Sequence, residues 1–305
     1  MTRDPLLPQD DEIAALVPTP DSILWRRAGD ARVMVTAGYA LVLQVAHPTV
    51  GAGVREHSNY ATDPWGRLFR TLDYVHVMVY GGARAAGETG RRLRDMHRRI
   101  KGVAPDGRRY HALEPEAFAW VHATLLAAIV EGHERFGRPL GAERTERMYA
   151  EWRDLGRLVG VRPDEMPGDW RGFRAYVDEM VADRLEDNDV VHGVLETLTR
   201  PARPPIAGLP DGAWRAARLP FSRLFTLATV GLLPPHLRDR FGLTWTRAQE
   251  LELRALGRAL RAATPLMPAQ LRAVGPTYLR WRRRAVAGRP SDPSSPAAPA
   301  IAGAA

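Results

Sequence analysis

Apolar residues recur along most of the chain at intervals of three and four, and no alternating stretch of convincing length interrupts them. The pattern therefore predicts helices almost throughout. Asp21 or Ser22 can cap a first helix that carries Trp25 and Arg26. A long apolar helix follows over roughly 30–46 and is interrupted by Pro48, Gly51 and Gly53. Thr62-Asp63-Pro64 is a start signal, a polar cap with proline at the first helical position. The helix it opens runs to about Tyr80, where Gly81-Gly82 ends it. Further helices fit 83–101, 115–136, 141–160, 170–184, 187–199 and 245–263, with a turn at Pro105-Asp106-Gly107. Residues 200–213 read as a proline-rich connection. Leu219 to Leu233 is apolar, holds Pro220, and is broken by Pro234-Pro235. The fold class is all-α, a single multi-helix domain over 21–286. A flexible lead with four prolines precedes it over 1–20, and a Gly, Pro, Ser and Ala tail, expected to be disordered, follows over 287–305.

Composition narrows the function classes. With 45% apolar residues, 305 residues can bury a sizeable core. The 43 basic residues exceed the 35 acidic ones by eight, and Lys101 is the only lysine. The arginines are scattered among Asp and Glu, which reads as GC-rich codon usage, and nucleic-acid binding is set aside. Only Arg280-Trp281-Arg282-Arg283-Arg284 forms a cluster. The absence of cysteine excludes disulfides, thiolate ligands and a Cys nucleophile. Met1 to Ala15 is acidic rather than signal-like, and Val33 to Ala46 is shorter than the ~20 residues that span a bilayer. A cytoplasmic protein with no transmembrane segment is expected. The segment Phe221–Leu233 is read as ordinary core, with a substrate entrance or a peripheral membrane contact as alternatives.

Familiar catalytic motifs are missing. There is no G-x-G-x-x-G, no P-loop, no His-Glu-x-x-His and no G-x-S-x-G, and no histidine has Glu three residues before it. What remains is a first third rich in histidine and arginine around the most apolar helix. Helical spacing puts Arg67, Arg70, Thr71 and Tyr74 on one stripe, beside an apolar stripe of Leu68, Leu72, Val75 and Val79. Such a wall suits an anionic, mostly apolar ligand. Haem, a flat apolar macrocycle with two propionates, fits that description.

Several strings together resemble the catalytic domain shared by mpaB-type oxygenases and the rubber oxygenase (latex clearing protein). They are Ala46 to Ser58 (AHPTVGAGVREHS), Asp63-Pro64 with Arg67-Leu68-Phe69-Arg70-Thr71, and Tyr110 to Leu125 (YHALEPEAFAWVHATL). Gly231-Leu232-Leu233-Pro234 and the residues on to Trp245 resemble its C-terminal signature. The likeness covers about 20–285. It implies a globin-like helical core around haem b, a histidine on the iron, and reaction of dioxygen with an apolar, isoprenoid-like small molecule. The residues do not specify the electron donor.

In the rubber oxygenase an arginine, a lysine three residues on and then a threonine lie on the distal side. Arg67, Arg70 and Thr71 match that spacing, with Arg70 in place of lysine. A guanidinium stays protonated and cannot ligate iron, so the sixth position is expected to be open or filled by water or another side chain. By the same likeness His97 is the expected iron ligand, with His122, His57, His47 and His133 as the other candidates. Arg67, Arg70, His97 and His122 are the expected cofactor-binding residues. Arg67, Thr71, Glu56 and His57 are the expected catalytic residues, Thr71 as a hydrogen-bond donor, Glu56 and His57 as base or gate. A haem-binding sensor or carrier, and a helical interaction module without cofactor, are the alternative functions.

Overall fold

The computed structural model describes residues 4–206 and 208–287. Two apolar helices form its centre, α3 (Ala37–Ala46) and α7 (Pro115–Glu131). Both bury residues on nearly every side, as a helix without a polar face must. They pack on each other, and Trp120 Nε1 on α7 donates to the Leu43 carbonyl on α3 at 2.9 Å.

The remaining helices wrap this pair. Ahead of it run α1 (Asp10–Leu16) and α2 (Ile23–Ala28). Between the two central helices come α4 (Pro48–His57), α5 (Pro64–Tyr80), α6 (Gly82–His97) and a hairpin of β1 (Lys101–Val103) and β2 (Arg109–His111). After α7 follow α8 (Ala142–Arg157), α9 (Trp170–Glu179), α10 (Asp189–Thr199), α11 (Asp211–Leu232), α12 (Pro235–Arg240), α13 (Arg247–Ala263), α14 (Ala269–Arg272) and α15 (Val274–Ala287). α10 and α11 pack on α3, α6 and α15 pack on α5, and α8 packs on α2 and α7. The protein is all-α, with one antiparallel two-stranded sheet among the described residues.

Several expectations change. The break expected at Pro48, Gly51 and Gly53 is a corner of about 100°, and the chain starts a new helix there with Pro48 at its first position. Gly51 serves packing rather than termination: a Cβ would sit 2.7 Å from the Val45 carbonyl oxygen. Within residues 1–20, expected as a flexible lead, α1 buries Ile13 and Leu16. The turn at Pro105-Asp106-Gly107 closes the β1–β2 hairpin, with Gly107 at φ +86°, and α6 stops at His97 rather than 101. α11 begins at Asp211 and runs through Pro220. The proposed tail over 287–305 lies outside the described residues, apart from Ala287, which ends α15. Among the described residues no single helix is long and apolar enough to cross a membrane.

Candidate functional site

α5 is anchored where the sequence signals it. The Asp63 carboxylate accepts from Gly66 N at 2.9 Å, and Pro64 occupies the first turn. Four residues into the helix, Arg67 turns inward. Its Nη1 donates to Thr71 Oγ1 at 2.6 Å, and the Thr71 hydroxyl donates to the Arg67 carbonyl at 3.0 Å. No carboxylate among the described residues pairs with Arg67. Burial, together with the neighbouring Arg70 charge, lowers its pKa below the usual guanidinium value. One turn on, burial pushes the Tyr74 phenol far up, and its hydroxyl has no hydrogen-bond partner among the described residues.

Arg67, Thr71 and Tyr74 lie deep yet keep part of their surface accessible. On α7 the same half-buried state recurs at Phe118, Val121 and Leu125, and on α3 at Leu41 and Gln44. These are stripes at helical spacing on helices that bury nearly everything else. These stripes would line an interior ligand space. The helix packing agrees: α5 packs on α6, and α3 on α7, without close packing of α5 or α6 against α3 or α7.

His97 closes α6 beside this space. Its Nδ1 donates to the Leu93 carbonyl at 2.8 Å, which fixes the proton there. The Nε2 lone pair has no partner among the described residues. The ring meets Phe118 edge-on, with centroids 5.8 Å apart. Burial lowers the His97 pKa most; the charges of Arg67 and Arg94, and His111, act in the same sense, against the Leu93 hydrogen bond. Arg67, bonded to Thr71, is thus near enough for its charge to bear on the His97 imidazole.

The other candidates lie elsewhere. Arg70 is exposed, and its guanidinium donates to Asn59 Oδ1 at 2.7 Å and reaches Asp63 at 3.4 Å. His122 is buried where α7 meets α8. Its Nε2 donates to the Trp152 carbonyl at 2.9 Å, Trp152 Nε1 donates back to the His122 carbonyl at 3.1 Å, and the rings stack at 4.6 Å. Burial pushes its pKa down to about 4. Glu56 and His57, both exposed, meet at Tyr110: the phenol donates to Glu56 Oε2 at 2.5 Å and accepts from His57 Nε2 at 3.0 Å. His47 donates through Nε2 to Glu116 at 3.3 Å, and His133 through Nε2 to the Arg27 carbonyl at 3.1 Å. Each leaves a buried Nδ1 without a partner in the structure.

A protein-family model matches residues 25–262, that of the ER-bound oxygenase mpaB/B′ and rubber oxygenase catalytic domain. The chain belongs to this family. No curated protein and no solved structure matches it significantly. The mpaB/rubber oxygenase domain is an oxygenase catalytic domain, which places the chain among the oxidoreductases. Its matched span starts within α2 and stops at the last turn of α13, so α1, α14 and α15 lie outside it. Among the described residues no group of three or more His, Asp or Glu could hold a bare metal ion. A haem iron asks the protein for far less, a single imidazole nitrogen.

Two residues near the site, Tyr110 and His111, are not among those singled out from the sequence. Tyr110 and His111 alternate on β2, one turned to α4 and the other close enough to His97 to bear on its ionisation. Both hairpin residues stand inside the Tyr110 to Leu125 string, which was the available signal.

Proposed function

We propose that this member of the mpaB/rubber oxygenase family is a haem-dependent oxygenase that uses dioxygen on an apolar, isoprenoid-like small molecule. The observation that carries the reading is the pair Arg67 and His97. A deep guanidinium lacks an anion, and beside it an imidazole has its proton fixed on Nδ1 and its Nε2 lone pair unused. A haem propionate is the kind of anion Arg67 would take, and Nε2 the atom that would hold the iron, with the Leu93 carbonyl setting the ring. Haem, when bound, supplies an iron that reacts with dioxygen.

The chain's own residues supply the surroundings. Thr71 has its hydroxyl proton on the Arg67 carbonyl and its oxygen on the Arg67 guanidinium, so it acts by holding Arg67 still. Phe118, Val121 and Leu125 would keep the space apolar and exclude water. Glu56 and His57, joined through Tyr110, form a gate at the end of α4 that can hold a proton between phenol and carboxylate. In this reading Arg70 and His122 belong to the frame, one bracing the start of α5 and the other keying α7 to α8.

Dioxygen uptake tests the proposal. Protein reconstituted with hemin, given a reductant and isoprenoid alkenes, is expected to consume dioxygen in step with an oxygenated product detected by mass spectrometry. Arg67→Ala removes a charge-assisted contact and should lower kcat/KM by about ten- to a hundred-fold. A haem-loaded protein that takes up no dioxygen with any apolar substrate would instead be a carrier or sensor.

A further inference from the structure

The positive charge of the chain is concentrated at one end. Residues 212–287 hold fourteen arginines against three acidic residues, Asp239, Glu250 and Glu252, and carry +11; all other residues together carry −3. Two acid-free runs, 212–238 and 253–287, account for most of the excess. The first contains the start of α11, whose residues up to Pro220 are exposed except for half-buried Trp214 and present Arg215, Arg218 and Leu219, the last 70% exposed. The second ends in α15, which presents Arg280, Arg284 and a Trp281 that is 50% exposed. None of these four arginines has an acidic partner among the described residues.

The two basic ends are joined by rings. Trp214 meets Phe221 at 6.0 Å, Phe221 meets Trp65 at 6.0 Å, Trp65 meets Phe69 at 6.3 Å, and Phe69 meets Trp281 at 6.0 Å. An unbroken aromatic line therefore crosses from α11 over the start of α5 to α15, flanked on both sides by unpaired guanidinium groups. Ile206, in the connection before α11, is 55% exposed.

We propose that this face docks on an anionic lipid surface. Phosphate headgroups answer the arginines, and the interfacial layer accepts amphipathic Trp rings and exposed Leu and Ile side chains. A nucleic-acid backbone would reward the charge but leave Leu219 and Ile206 in water, which is why a bilayer is the better complement. α5 carries Trp65 and Phe69 at this face and Arg67, Thr71 and Tyr74 inside. Docking therefore sets the interior space against the phase in which apolar molecules dissolve. That last consequence rests on the oxygenase reading; the docking itself does not.

Flotation of the full-length protein with vesicles tests the surface. Recovery with mixed phosphatidylcholine–phosphatidylglycerol vesicles is expected at low salt, with loss at high salt and little recovery on phosphatidylcholine alone. Removing Arg215, Arg218, Arg280 or Arg284 as Arg→Ala should weaken binding about five-fold each at low salt. Leu219→Ser and Trp281→Ala should weaken it further with helicity unchanged. Arg157→Ala, an exposed arginine on α8, should have no such effect. The proposal is overturned if the protein does not float, if Arg157→Ala matches the face variants, or if duplex DNA is bound while mixed vesicles are not. Hemin binding measured on the same preparation separates a failure here from a failure of the oxygenase reading.

Discussion

His122 shows how one buried imidazole couples the fold to pH. Its folded pKa is held at about 4, below the ~6.5 of an unfolded histidine, because burial disfavours the imidazolium. Between those two values the unfolded chain binds a proton that the folded chain refuses. Stability therefore falls as pH drops from about 6.5 to about 4, by up to ~3 kcal/mol for this group, and is unaffected by it above that window. Urea unfolding at a series of pH values should show this slope, and His122→Gln should flatten it by close to one proton. Residue identity also explains what the sequence could and could not say of the site. Spacing placed Arg67, Arg70, Thr71 and Tyr74 on one stripe, but an arginine side chain is long enough to leave its stripe. Arg70 leaves it because Asn59 and Asp63 wait in the preceding loop. No periodicity carries that information. For His97 the legible part was its place on the helix after α5; the Leu93 hydrogen bond that frees Nε2 required the structure.

Among the elements, α5 is held from two sides. Its inner residues face the proposed haem space, and its outer face is clamped by α15, a helix outside the family-matched span. Tyr278 donates to Asp73 Oδ1 at 2.6 Å, and Arg282 grips both oxygens of the same buried carboxylate. Tyr80 fills the seam where Gly29 and Gly275 leave no room for a Cβ. Asp73→Ala would leave the Arg282 guanidinium without its carboxylate and Tyr278 with the Phe69 carbonyl alone, and should cost about 3 kcal/mol. Hydrogen exchange should show α15 losing protection before the rest of the molecule. Uniform loss would mean that the clamp is not a separate unit. Helices with strong caps, such as α5 after Asp63-Pro64 and α13 with its Thr246–Gln249 capping box, were legible to within a few residues. α4 was not, because Pro48 and two glycines resemble a break when Gly51 actually admits the Val45 carbonyl inside a helix. α15 was not, because the arginines from Arg280 to Arg284 mask its apolar period.

For the whole molecule, an all-α chain packs α5 on α6 and α3 on α7, and His97 of the first pair meets Phe118 of the second edge-on. The apolar pattern made the helical class plain. Where the proposed haem space would lie was not legible, since a helix lining interior space and a helix filling a core carry the same hydrophobic period. Whether haem binds beside His97 decides the function. Titrating the protein with hemin and recording the visible spectrum tests this most directly. The prediction is a saturating Soret band at one haem per chain, lost in His97→Ala while the helical circular dichroism is retained. A folded wild-type protein that develops no such band, or a His97→Ala protein whose band is unchanged, would contradict it.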